Sequence, residues 1–301
     1  MRMAILIGLG VVVAVLGGFY AIGVWRTASA ETVAWDTLAP LPGGEFITTA
    51  SGRTHYVDVG EGPAIILFHG SGRSVADWQQ GAIERLARHH RVIAFDYFGM
   101  GFSERNPSFT YGYDLWITQA LELLDALGVE KVTAIGHSVG GVLACILAAD
   151  HAERVDHVVT IGTGMTIEPQ QWLLLVPGLG ETIMATSENY GGAQDEAHRE
   201  AMAAAYRVIG TRAALLAYAR RQATVDGMRL LFGTFEDVKA PVLHLSGARD
   251  VNIDPKIAEA LTARTRGKFV LIDGATHGLP MEVPDRFAEE VEKFLGTSPG
   301  A

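Results

Sequence analysis

The sequence has a single cysteine, Cys145, among 301 residues. That excludes an internal disulfide framework and any cysteine-based zinc site. The histidines fall in no H-E-x-x-H or similar metal spacing, so no metal is expected. Gly162-Thr163-Gly164 lacks the rest of a dinucleotide fingerprint, and no organic cofactor is implied. Basic charge is scarce: 24 Lys and Arg against 34 Asp and Glu give a formal net charge of −10. With no basic patch, nucleic acid and anionic membrane surfaces are excluded as the main partner. No internal repeat or low-complexity tract is present. Charged residues make up 19% and hydrophobic residues 49%, a balance that supplies a full core and excludes global disorder.

Charge is missing altogether from Ala4 to Trp25, a run bracketed by Arg2 and Arg26. As a helix these residues would extend ~33 Å, enough for a hydrocarbon core of about 30 Å. Two readings compete for residues 1–30. Ala28 and Ala30 in "TASAE" offer an A-x-A cleavage site for a signal peptide. The apolar run, however, exceeds the roughly 7–15 residues of a signal h-region, which favours an uncleaved membrane anchor. Arg2 and the terminal amine lie on one side; on the other, Arg26 is followed by Glu31 and Asp36. The positive-inside tendency then leaves the N-terminus in the cytoplasm and the folded part outside. The alternative is export after cleavage near Ala30.

From residue 31 onward short β-branched runs alternate with helical patterns. "HYVDVG" reads as an antiparallel first strand. "AIILFHG" (64–70), "RVIAFD" (91–96), "KVTAIGH" (131–137), "HVVTIGT" (157–163), "PVLHLSG" (241–247) and "KFVLIDG" (268–274) read as buried strands. Near-continuous apolar runs of this length suit a parallel sheet covered on both faces. Helical patterns such as 113–127 and 144–150 lie between them, which predicts an α/β domain over 31–301. The sheet begins after residue 30, so the first segment is expected to be dispensable for the fold. One stretch breaks the rhythm: from about 164 to 237 no strand is expected. It carries "QQWLLLVPGLG" and a helical pattern over 195–222 interrupted near Gly210, and is expected to form a helical cap inserted above the sheet edge.

The chemistry-bearing stretch is "IGHSVGG" (135–141), a G-x-S-x-G match placed after a strand and before a helix. That is the setting of a nucleophile elbow, where a sharp turn lifts the Ser138 hydroxyl above the sheet. Gly136 and Gly140 give the turn its backbone clearance. The helix N-terminus behind Ser138 favours a developing anion. A plain N-cap serine fits the same turn, and 35 glycines make chance matches easy, so the motif needs partners. A serine hydroxyl needs a base, and the base an orienting carboxylate. Asp250 in "SGARD" lies 112 residues after Ser138, just past a strand, and His277 in "DGATHG" follows 27 residues later, just past the next. Three reactive residues then leave the carboxyl ends of parallel strands, the edge where open α/β sheets bind ligands.

With these residues in view, the chain resembles the α/β-hydrolase-fold serine hydrolases from Phe46 to its C-terminus. "FHGSG" (68–72) resembles the family's His-Gly motif, "DYFGMGFS" (96–103) its D-x-x-G-x-G-x-S turn, and Asp250 with Pro255 its G-x-x-D pattern before a Pro-led helix. The resemblance implies a Ser138–His277–Asp250 triad. It also implies an oxyanion hole made by the backbone N–H groups of Val139 and Ser71. His69 and Asp96 are then scaffold, and Ser103, which lacks the second flanking glycine, is structural. Asp254 suits the N-cap of the helix begun by Pro255, and Cys145 suits helix packing.

The reaction so implied is ester hydrolysis through an acyl-enzyme. Perhydrolysis, C–C bond hydrolysis and peptidase activity keep the same serine and stay open, as does a catalytically silent binding protein. Haloalkane dehalogenases and epoxide hydrolases place an aspartate at the elbow, which Ser138 argues against. The apolar run at 172–177, flanked by Met165 and Met184, and the cluster Leu230, Leu231 and Phe232 predict an apolar lid and small apolar acyl substrates. Their alternative role is to glue the cap to the core.

Overall fold

The computed structural model describes residues 2–164, 169–188, 192–227, 229 and 233–296. It opens with α1 (Arg2–Ala30), continuous over the uncharged run. The sheet then assembles from β1 (Glu45–Thr48), β2 (Arg53–Val59), β3 (Ala64–Phe68), β4 (Arg91–Phe95), β5 (Val132–His137), β6 (Val155–Ile161), β7 (Val242–Gly247) and β8 (Lys268–Ile272). Their order is β1-β2-β4-β3-β5-β6-β7-β8. β2 pairs antiparallel with β1 and β4, and every later pairing is parallel.

The period of two along each strand divides the core between two faces. Ile66 and Phe68 join Phe95, Tyr97, Trp116 and Leu143 on one side. Ile65 and Leu67 join Val92, Trp78 and Phe287 on the other. Helices cover both faces: α2 (Ala82–Leu86), α3 (Tyr113–Ala126), α4 (Val139–Asp150), and, beyond β7, α8 (Pro255–Thr265), α9 (Leu279–Glu282) and α10 (Pro284–Leu295). All six residues of β5 are buried. So are residues 139–148 of α4, which explains why this helix has no polar face. The single cysteine is buried within it.

Between β6 and β7 the described residues contain no strand. They form α5 (Leu179–Ala185), α6 (Glu196–Tyr206) and α7 (Thr211–Arg221). Asp195 caps α6 by accepting the His198 N–H, and Gly210, with φ +98°, turns the chain into α7. Met165, Leu230, Leu231 and Phe232 lie outside the described residues. The N-terminal helix does not stand apart from the rest. Thr182 Oγ1 donates to the Phe19 carbonyl at 2.6 Å. Just past α1, the Glu31 carboxylate accepts the N–H groups of Gly210 and Arg212, each at 2.7 Å. Residues 1–30 therefore contribute packing to the helical segment, a contact that the position of the first strand gave no reason to expect.

Candidate active site

Ser138 stands at the junction of β5 and α4 with φ +56° and ψ −120°. It is one of three non-glycine residues with positive φ among the described residues. Such a conformation costs on the order of 1–3 kcal/mol and persists where the surroundings over-determine it. Here they do. The Ser138 N–H donates to the Ile161 carbonyl at 2.8 Å, and its own carbonyl accepts from Gly141 N–H and Thr163 Oγ1. A side chain at Gly136 would strike the Gly140 carbonyl, and one at Gly140 would strike the Phe68 carbonyl. The hydroxyl makes no capping bond to the helix. The N-cap alternative for this serine therefore gives way to an elbow that presents the hydroxyl outward.

The hydroxyl's surroundings form a cavity of about 490 Å³ lined by Ser71, Arg73, His137, Ser138, Thr276 and His277, among others. His277, on the loop after β8, bonds through Nδ1 to Asp250 Oδ2 at 2.8 Å. Asp250, on the loop after β7, also accepts the N–H groups of Asn252 and Ile253 on Oδ1, each at 2.9 Å. Burial opposes ionisation of this carboxyl. The bonds from His277, Ile253 and Asn252 outweigh it and hold Asp250 below the ordinary carboxylate range. Ser138 and His277 share the cavity without a direct hydrogen bond.

Ser71 is exposed at the cavity mouth and Val139 is buried in the first turn of α4. Ser71 lines the cavity; Val139 follows Ser138 directly but is not part of its lining. The other sequence candidates occupy structural places. Asp96 holds His55 Nδ1 at 2.8 Å and the Val75 and Phe102 N–H groups. Ser103 Oγ donates to the Asp96 carbonyl and accepts from His55 N–H. His69 ties Gly70 to Tyr97, and burial holds its imidazole pKa low. Asp254 accepts the Lys256 N–H as an N-cap.

The pattern of the sequence did not disclose His137. Burial, then the neighbouring His277, push its pKa down to about 3. The neutral ring donates from Nε2 to the His277 carbonyl at 2.7 Å. Its only signal was its place between Gly136 and Ser138. Arg73 was missed too. It forms a two-point ion pair with Asp77, at 2.8 and 2.7 Å, and Asp77 in turn meets His198 Nε2 of α6 at 2.9 Å. Burial works against the Asp77 charge, but the His198 and Arg73 bonds lower its pKa to about 2. This buried chain joins the loop after β3 to the helices above it. Glu282 fixes the other wall by accepting Thr276 N–H at 2.8 Å.

Among the described residues the expected apolar lid does not line this cavity. Trp172 and Leu173 are 51% and 44% exposed, and none of residues 172–177, nor Met184, is among the cavity's lining. Asn252, Thr276, Arg73 and Glu282 supply polar walls instead, with Ile253 and Met281 as apolar patches. The segment 169–175 packs beside α5 and α7, where the Leu174 carbonyl accepts from Arg220 Nε at 2.8 Å.

Comparison with known proteins agrees with this architecture. Residues 63–284 match the family model for the alpha/beta hydrolase fold. A 2-hydroxymuconate semialdehyde hydrolase from Pseudomonas sp. (strain CF600) is 39% identical over 122 residues, 40% of this chain and 43% of that protein. The chain thus spans less than half the length of that relative. Haloalkane dehalogenase 2 of Mycobacterium bovis is 28% identical over 284 residues, covering 83% of this chain and 94% of the relative. A solved meta-cleavage product hydrolase from Pseudomonas fluorescens IP01 superimposes with a TM-score of 0.68 at 26% identity. That match covers 84% of this chain and 97% of the other.

Proposed function

The chain belongs to the alpha/beta hydrolase fold family, and from that premise we propose that it is a serine hydrolase cleaving an acyl bond, foremost an ester, of a small molecule. The observation that carries the reading is the Asp250–His277 bond of 2.8 Å at the rim of the cavity holding Ser138. With Nδ1 engaged by Asp250, the remaining imidazole nitrogen is the base. It takes the Ser138 proton as the oxygen attacks the acyl carbon. Backbone N–H groups of Val139 and Ser71 receive the developing oxyanion. The imidazolium then protonates the leaving group. Water, deprotonated by the same ring, releases the acid and restores Ser138. His137 Nε2–H, through the His277 carbonyl, keeps the base in register with the elbow.

The polar walls favour a small, partly polar substrate over a long apolar acyl chain. A second reading, hydrolysis of a C–C bond beside a carbonyl, is supported by the names of the semialdehyde and meta-cleavage product hydrolases. The two are separated by measuring kcat/KM for p-nitrophenyl acetate and butyrate and for 2-hydroxymuconate semialdehyde with one preparation. Faster turnover of the esters supports the first reading, and faster turnover of the semialdehyde the second. Turnover of neither, with no fluorophosphonate adduct at Ser138, overturns both.

For α1 we propose a retained anchor with the catalytic part outside the cytoplasm. Its segment Ile7–Ala30 is long and apolar enough to cross a membrane. The Ala30–Glu31 junction that cleavage would cut is helical and docked: Glu31 N–H donates to the Thr27 carbonyl, and its buried carboxylate is held by residues 210 and 212. N-terminal sequencing of the membrane fraction tests this: a mature protein beginning at Glu31 overturns it.

A further inference from the structure

The contact between α1 and α5 fixes the depth of the helices above the sheet relative to any membrane that α1 enters. A side chain at Gly178 would collide with the Leu16 carbonyl, and a Cβ on Gly23 would lie 2.7 Å from the Glu181 carbonyl carbon. Between them, Thr182 Oγ1 bonds the Phe19 carbonyl at 2.6 Å. At 1.5 Å per residue, Leu16 lies about 21 Å and Gly23 about 10 Å below Ala30 along the axis. A helix that crosses a hydrocarbon core of about 30 Å with Ala30 at its edge carries residues 178–182 into that core.

The surface at that level is suited to lipid. Trp172 and Leu173 are exposed in the segment that packs beside α5 and α7. Tyr20, Val24, Met184, Leu216 and Ala217 border a groove of about 710 Å³ between α1 and the two helices, which Glu31 and Arg212 close at its Ala30 end. The charges there answer each other: Glu181 pairs with Arg220 at 3.0 Å and accepts the Gly178 N–H at 2.7 Å. Scattered surface apolar residues would need no account. These are contiguous with a helix of membrane length and share its depth.

We propose that residues 172–185, docked on α1, insert with it into the bilayer, with lipid acyl chains filling the groove between α1 and α7. This rests on the reading of α1 as an anchor and goes beyond it. A tether alone would leave the helices above the sheet in water; the docked geometry makes them part of the membrane-bound face.

The test uses the full-length chain in phosphatidylcholine vesicles containing acyl-chain spin labels. Cys145 is buried and serves as the unlabelled background. An environment-sensitive fluorophore is attached in turn to Leu173→Cys, Val13→Cys and Lys131→Cys, the last an exposed position beside β5. Quenching at position 173 at least threefold above that at 131, and comparable to that at 13, is the expected result. Quenching at 13 but not at 173 overturns the inference and leaves the anchor standing. Quenching at neither position overturns both. Should Leu173→Cys fail to fold, Trp172→Cys is read in the same way.

Discussion

At the carboxyl edge of the sheet, side chains meet through short bonds between residues far apart in the chain; across the helices between β6 and β7, large apolar side chains stand exposed beside the paired charges. Asp250, His277 and His137 are joined at 2.8 and 2.7 Å. Trp172, Leu173, Ile209 and Val225 face outward. Buried polar groups must be paired, so a site made of them is held to one geometry. Dispersion and apolar burial are non-directional, and a surface built on them can meet a soft partner such as lipid. The Arg73–Asp77–His198 chain is where the two plans touch.

The largest expected effect breaks the polar side of this contrast. Ser138→Ala or His277→Ala should each lower hydrolysis on the order of 10⁴–10⁶-fold, and the double mutant little further, because the groups act as a unit. Steady-state rates on a small ester check this; full activity of Ser138→Ala would remove the mechanism. Asp250→Asn comes next, at about 10⁴-fold. Asp254→Asn should cost less than about 0.5 kcal/mol, because asparagine caps a helix as well as aspartate. Equal losses in two folded proteins would undo the distinction between orienting acid and cap.

A pH experiment sharpens the comparison further. His137 titrates near 6.5 when unfolded and about 3 when folded. Between those values the unfolded chain binds the extra proton, so stability falls as pH drops from 6.5 toward 3. His137→Gln cannot titrate and should flatten that fall by up to about 1.4 kcal/mol per pH unit. Urea midpoints at pH 7, 5.5 and 4 would measure it, and parallel profiles would show that the ring is not held neutral. The smallest effect lies on the apolar side. Trp172→Ala and Leu173→Ala should change kcat/KM on a soluble ester by less than about twofold, within the ±0.5 kcal/mol usual for surface substitutions. A tenfold loss would return those residues to the substrate pocket.

Much of the architecture was legible because its causes are local. The run at 131–137 reads as a strand, and the strand is Val132–His137. The pattern at 113–127 reads as a helix, and the helix is Tyr113–Ala126. The break near Gly210 within 195–222 is a left-handed glycine between two helices. Asp254 before Pro255 announces its cap locally. Ser138, Asp250 and His277 were visible because each follows a strand that its own β-branched run declares.

What the sequence determined by itself, then, is whatever depends on neighbours along the chain: strand and helix periods, turn glycines, caps, and the strand ends at which reactive side chains emerge. The tertiary structure alone decided which distant groups meet. Nothing in "IGHSVGG" indicates that His137 will hold the carbonyl of a residue 140 positions later. Nothing in "QQWLLLVPGLG" indicates whether its apolar residues turn to the substrate or away from it. Hydrophobicity fixes that such residues seek an apolar surrounding but carries no direction. That Trp172 and Leu173 stand exposed was decided by the packing of their segment beside α5 and α7.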